Sequence, residues 1–274
     1  MLKQLEGERM RDGTGEYDAQ RQRVQQQFGE IAQSYVESPR HRSGRDLKRL
    51  VELAECCPED RALDVATGGG HTALALAPRV AHVVASDLTP RMLEAAEAFI
   101  RSQGVENVSF EVAAAEDLRF DEASFDIVSC RIAPHHFADV VAFCREVARV
   151  LKPGGRFVLM DSVAAEDDEL DHFINDIEWR RDKSHARSYR LSEWQTWIAA
   201  TGLDVDLVEE FERRHEFQQW TKRSRMAAQE RDELEAIILS TPQRVLEHFS
   251  VEILDKRVES FADHKFILRA RKQA

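Results

Sequence analysis

Apolar positions along this chain follow two different periods. Between residues 21 and 37, Val24, Phe28, Ile31, Ala32 and Tyr35 recur at three- and four-residue steps, which puts them on one face of a helix that Pro39 ends. A second amphipathic helix over about 43–54 carries Leu47, Leu50, Val51 and Ala54 on its buried stripe, before Pro58. From residue 62 the rhythm changes. Short apolar runs at 62–66 (ALDVA), 82–87 (HVVASD), 108–114 (VSFEVAA), 125–130 (FDIVSC) and 155–161 (GRFVLMD) alternate with helix-period segments at about 70–77, 90–102 and 138–151. Such alternation needs crossover helices between parallel strands and predicts an open, doubly wound α/β sheet. Lys152, Pro153, Gly154 and Gly155 close the third helix and lead into the fifth run, since proline cannot continue a helix and glycine supplies unusual dihedrals.

After Asp161 the pattern breaks. Residues 164–200 are charged and helical, with Trp179, Trp194 and Trp197, and predict a helical cap inserted into the sheet rhythm. A strand at 203–211, further helix at 218–250 around Pro242 and a last strand at 260–271 complete the reading. Residues 1–18, polar and interrupted by glycine, have too little apolar surface to offset the entropy of ordering and are expected to be flexible. The expectation is one domain over 19–274: a core at about 45–161 with the two later strands, and cap segments at about 19–44, 164–200 and 218–250.

The densest chemistry lies at 64–71, where a strand carrying Asp64 runs through Ala66 and Thr67 into Gly68, Gly69 and Gly70, and a helix starts near His71. Glycines let the backbone approach a ligand, and a helix start offers free amide donors, so the turn suits a phosphate or a carboxylate. Asp64 separates these. A carboxylate four residues before the first glycine repels a pyrophosphate but welcomes an ammonium, which favours the cationic methionine end of S-adenosylmethionine. Nineteen residues after Gly68, Asp87 ends the second strand, where a carboxylate can accept both hydroxyls of a ribose. Leu88 and Met92 are placed for apolar contact with the adenine, and Ala115, Glu116 and Asp117 for its edge. A nicotinamide site is the rival, because Gly68, Gly70 and Ala73 satisfy a loose dinucleotide fingerprint with Asp87 at its acidic position.

Composition narrows the classes. With 50 Asp and Glu against 38 Lys and Arg the net charge is −12, which gives no footprint for holding nucleic acid. Cys56, Cys57, Cys130 and Cys144 lack the spacing of zinc ligands, so no metal is expected and the thiols read as reduced, in a cytoplasmic protein. No stretch approaches the roughly 20 apolar residues needed to span a bilayer.

Four segments in this order, 63–73 (LDVATGGGHTA), 83–93 (VVASDLTPRML), 114–139 (AAEDLRFDEASFDIVSCRIAPHHFAD) and 147–161 (VARVLKPGGRFVLMD), resemble the class I S-adenosylmethionine-dependent methyltransferases, in the branch with quinone and small-molecule methylases. The resemblance implies a Rossmann-like seven-stranded sheet with its last strand antiparallel. It also implies S-adenosyl-L-methionine as cofactor, held around Asp64, Ala66, Gly68, Gly70, Asp87, Ala115 and Glu116. Two departures stand out: Ala66 replaces the family's usual glycine, and Ala114 replaces an acid that many members use for the adenine amino group.

The segment after the fourth strand, with Arg131, His135 and His136, is the candidate reaction centre, since ligands of open α/β sheets bind at the carboxyl edge. A histidine there can act as general base, His135 being preferred, and Arg131 can orient an anionic or phenolic oxygen or contact the cofactor. Tyr35, Asp161, Trp179 and Arg180 are candidates for the substrate pocket or a lid. The reading is an enzyme that methylates a small molecule. The alternatives are a cofactor-binding protein without catalysis and an NAD(P)-dependent oxidoreductase.

Overall fold

A computed structural model of the chain describes residues 15–30, 32 and 44–273. Helix α1 covers residues 15–30, so helix begins inside the segment expected to be flexible; Tyr35 and Pro39 lie outside the described residues. Helix α2 (Arg45–Leu53) buries Leu47, Leu50, Val51 and Leu53.

The alternation predicted from residue 62 onward is present as β1 (Arg61–Val65), α3 (His71–Leu76), β2 (His82–Asp87), α4 (Pro90–Ser102), β3 (Val108–Val112), β4 (Phe125–Arg131), α5 (Val140–Val150) and β5 (Leu151–Ala164). These five strands pair in parallel. The rest of the chain forms α6 (Asp168–Arg181), β6 (Tyr189–Arg190), α7 (Leu191–Ala200), β7 (Leu203–Glu216), α8 (Phe217–Arg223), α9 (Ala228–Leu239), α10 (Gln243–His248), β8 (Glu252–Leu254) and β9 (Arg257–Lys272). The main sheet runs β3-β2-β1-β4-β5-β9-β7, with β9 antiparallel to both neighbours. Two short strands were not foreseen: β6 beside β5 and β8 beside β9 bring the sheet to nine strands rather than seven.

Successive residues of a strand face opposite sides, and β1 shows it: Leu63 packs toward Phe143, Phe157 and Trp194, while Ala62 packs toward Leu50, Leu76 and Ile100. Both sheet faces are therefore covered, as a parallel sheet requires. The cap has a core of its own, in which Ile177, Phe217, Trp220, Ile238 and Phe249 close over Phe261 of β9.

Two boundaries differ from expectation for a physical reason. Strand β5 starts at Leu151 directly after α5, and its register with β4 shifts between Phe125 and Ile127, so residues 152–155 bulge. Gly154 has φ +76° there, and a Cβ on Gly155 would lie 2.8 Å from the Lys152 carbonyl oxygen. Strand β7 continues past Phe211 because Glu212 to Glu216 pair with His264 to Ser260 of β9. Its charged sequence hides that pairing, which comes from a partner strand and not from local propensity.

Candidate active site

The turn after β1 is built on left-handed backbone: Ala66 at φ +53°, Gly68 at +54° and Gly70 at +79°. Gly68 borders two cavities, and a Cβ placed on it would meet nothing within 4 Å. Gly70 makes room for α4: it is absent from the lining of both cavities, and a Cβ would come within 2.9 Å of Ile100 and 3.2 Å of Ala96. Ala66 carries a Cβ into a conformation that costs an L-residue about 1–2 kcal/mol. Ala66→Gly is therefore expected to raise stability by about 0.5–1 kcal/mol, after the extra freedom of glycine in the unfolded chain is subtracted. A urea midpoint unchanged or lowered would show that the turn does not strain this residue.

The larger cavity, of about 700 Å³, collects Ala66, Gly68, Asp87, Leu88, Met92, Ala115, Glu116 and His136. The smaller, of about 430 Å³, collects Asp64, Thr67, His71 and Arg131 and shares Ala66, Gly68 and Ile132 with the first. Arg21, Val24 and Phe28 of α1 form part of the larger wall. Val24 and Phe28 belong to the apolar helix period of the sequence, which suits a core face or a lid over the cofactor; Arg21 is no part of that period. Ile132, Ala133, Phe137 and Ala138 also line it. Ile132 sits at φ +56°, an outlier for a β-branched residue, pinned by its amide to the Met160 carbonyl at 2.8 Å.

The two acids behave differently. Asp64 is 1% exposed and accepts hydrogen bonds from Thr67 Oγ1 at 2.7 Å and Ser129 Oγ at 2.8 Å. Burial pushes its pKa up to about 6, against the pull of those two hydroxyls. Asp87 accepts the Gly68 amide at 3.0 Å and the Thr89 amide at 2.9 Å, so it ties the turn to β2. Burial raises its pKa too, opposed by the same amides.

Other predicted residues take up structural bonds. Glu116 accepts the Ala138 amide at 2.8 Å and reaches Arg21 at 3.2 Å. Asp117 turns to solvent, 3.6 Å from Arg119, and lies outside both cavities. Arg131 gives Nε and Nη2 to Asp46 of α2, at 3.0 and 2.5 Å, instead of holding them for an anionic oxygen. Trp179 is 49% exposed under the Lys183 ammonium, and Arg180 pairs with Asp176 at 2.7 Å; neither is on the lining of these two cavities.

His135 and His136 diverge although adjacent. His135 Nδ1 lies 2.6 Å from Asp161 Oδ1, and its backbone amide donates to Asp161 Oδ2 at 2.8 Å, so Asp161 holds both the ring and the short turn around it. His136 Nδ1 donates to the Ser184 carbonyl at 3.0 Å, and its ring stands edge-on to Phe28 at 4.9 Å. Burial, and second the neighbouring His135, push its pKa down to about 4, so this ring is neutral at physiological pH.

A methyltransferase domain family matches residues 63–159, the stretch from β1 through most of β5. The chain is 43% identical over 196 residues to the methyltransferase YcgJ of Bacillus subtilis, covering 72% of this chain and 78% of that protein. This chain belongs to the methyltransferase family. The methyltransferase superposes on a crystal structure from Bacillus halodurans C-125, described as a methyltransferase, with a TM-score of 0.83 at 38% identity, over 84% of this chain and all of that one. It is also 38% identical over 160 residues to the demethylmenaquinone methyltransferase of Deinococcus radiodurans, which covers 55% of this chain and 65% of that enzyme. Among the described residues no helix is long and apolar enough to cross a membrane.

Proposed function

We propose that this methyltransferase binds S-adenosylmethionine across its two cavities and methylates a small organic molecule. The observation that carries the reading is the pair of carboxylates flanking Gly68, with Asp64 in the smaller cavity and Asp87 in the larger. Asp64 faces the smaller cavity with a pKa near 6. An ammonium beside it would draw out its ionised form, as the methionine end of the cofactor requires. Asp87 and the apolar Leu88 and Met92 suit a ribose and an adenine.

A pyrophosphate finds little support here. The cation lining the larger cavity, Arg21, is paired with Glu116, and the one lining the smaller, Arg131, is paired with Asp46.

When bound, S-adenosylmethionine supplies a methyl group on a sulfonium that leaves as a neutral thioether. The protein's share is placement and exclusion of water. Helix α1 contributes to both. Besides lining the larger cavity it is latched by Gln20, whose amide donates to the carbonyls of His136 at 2.9 Å and Ser184 at 2.7 Å, and by Gln25, which donates to the Leu88 carbonyl at 3.0 Å.

The test is a thermal-shift comparison. S-adenosylhomocysteine at a hundred times its Kd should stabilise the protein by about 2.7 kcal/mol, with NAD and NADP inert. A larger shift with either dinucleotide would overturn the assignment.

A further inference from the structure

Three imidazoles cluster at the carboxyl edge of β4 and β5: the ring centroids of His135 and His136 are 4.1 Å apart, and those of His135 and His185 are 5.6 Å apart. The hydrogen bonds of each ring decide which nitrogen carries the proton. Asn175 Oδ1 accepts the Ser188 amide at 2.7 Å, which fixes the orientation of that side-chain amide; Nε2 of His185, 3.0 Å from the same oxygen, must be a donor. The Nδ1 of His185 is then a lone pair, and it is buried with no hydrogen-bond partner. His136 Nδ1 faces the Ser184 carbonyl, which can only accept, and at 3.2 Å the Ser184 hydroxyl, whose proton goes to Asp182 Oδ1 at 2.6 Å, so the lone pair of the ring sits on Nε2. His135 Nδ1 faces the Asp161 carboxylate, so in the neutral ring its lone pair is likewise on Nε2.

The cluster thus offers three acceptor nitrogens and no ring donor that is not already engaged. Of the three, Nδ1 of His185 is buried without a partner; leaving such an acceptor unpaired costs about 1–3 kcal/mol, which calls for a donor in the loaded protein. The surroundings disfavour an anion. Asp161, Asp182 and Glu178 stand close by, while Arg181 is paired with Glu178 and Arg187 with Asp171. A metal ion does not fit either, since among the described residues no group of three or more His, Cys, Asp or Glu side chains is arranged to hold one.

We propose that His135, His136 and His185 form the methyl-acceptor subsite and select a neutral acceptor bearing O–H or N–H groups, with Nε2 of His135 taking the proton from the group that is methylated. The inference rests on the methyl-transfer reading above. The proton passes from the acceptor's heteroatom to Nε2, the resulting imidazolium faces Asp161, and the heteroatom keeps the electron pair with which it takes the methyl group. His136 lines the larger cavity; His135 and His185 line neither cavity but follow it ring against ring, at 4.1 and 5.6 Å, so the subsite adjoins the cofactor space through His136.

Long-range proton–nitrogen NMR on the full-length labelled protein, saturated with S-adenosylhomocysteine, reads the tautomers directly. His135 and His136 should carry their proton on Nδ1 and His185 on Nε2; the opposite tautomer in any of the three overturns the proposal. Catechol should then perturb all three rings and bind at least about tenfold more tightly than benzoate. His135→Gln should keep S-adenosylhomocysteine affinity within about threefold while methylation of catechol falls about a hundredfold or more. Benzoate binding as tightly as catechol, rings that respond to neither probe, or saturation of the three rings by stoichiometric zinc would each overturn it. Failure of the wild-type protein to bind S-adenosylhomocysteine sinks the cofactor reading instead, and the tautomer measurement on the free protein still judges the subsite.

Discussion

Arg131→Met is expected to destabilise the protein by about 3–5 kcal/mol, because it strands a buried carboxylate. The side chains of Arg131 and Asp46 are 4% and 7% exposed, and the pair joins the end of β4 to the first turn of α2. Burial alone would raise the pKa of Asp46; the Arg131 guanidinium outweighs it and holds the carboxyl below its ordinary value. The stabilisation of a carboxyl with a lowered folded-state pKa is present above its unfolded pKa and is lost as the pH falls through the folded one. Without its arginine Asp46 is pushed upward by burial, so the gap between variant and wild type should narrow as the pH is lowered through about 4. Arg131→Met combined with Asp46→Leu should recover much of the loss, since an apolar pair of similar volume often replaces a buried ion pair without penalty. Urea unfolding at pH 7 reads both effects. A loss under about 1 kcal/mol in the single variant would place this pair with exposed salt bridges.

Asp87→Ala should weaken S-adenosylhomocysteine binding by about 1–3 kcal/mol, roughly 5- to 150-fold in Kd. A carboxylate has about four lone-pair sites. Two are used by the amides of Gly68 and Thr89, which leaves two for a ribose diol. The variant therefore loses the diol contact and also the tether that holds Gly68 in its left-handed conformation. Asp87→Asn should fall between, because its amide keeps one acceptor and turns a donor toward one of those backbone N–H groups. Isothermal calorimetry measures the series, and a Kd for Asp87→Ala equal to that of wild type would remove Asp87 from the cofactor site.

The elements most legible in the sequence are those whose signals are local. Strand β2 and helix α4 begin and end where the pattern put them, at His82–Asp87 and Pro90–Ser102. Proline at the first turn of α4 and the apolar centre of β2, Val83 to Ala85, need no partner to be recognised. The glycine turn is legible for the same reason, but the jobs of its members are not. Gly68 faces open space and Gly70 faces α4, a distinction that exists only once α4 is packed beside the turn. Val24 and Phe28 carried a helical period that fits a protein core and a cavity wall equally well, and Arg21, outside that period, gave no signal of its place on the wall.

The polar site shows the limit most clearly. Adjacent histidines of one loop have different partners because Asp161 arrives from the end of β5 and Ser184 from the segment after α6. Arg131 is committed to Asp46, 85 positions away. By itself the sequence determined a parallel α/β sheet, a glycine turn and an acid at the end of each of the first two strands, all of which follow from period, propensity and residue chemistry within a short window. Only the tertiary structure decided which side chains are spent on one another, which nitrogen of each histidine is left with a lone pair, and that the cap has its own core. Those outcomes depend on hydrogen bonds and packing between elements far apart in the chain, and no local pattern encodes their distance or direction.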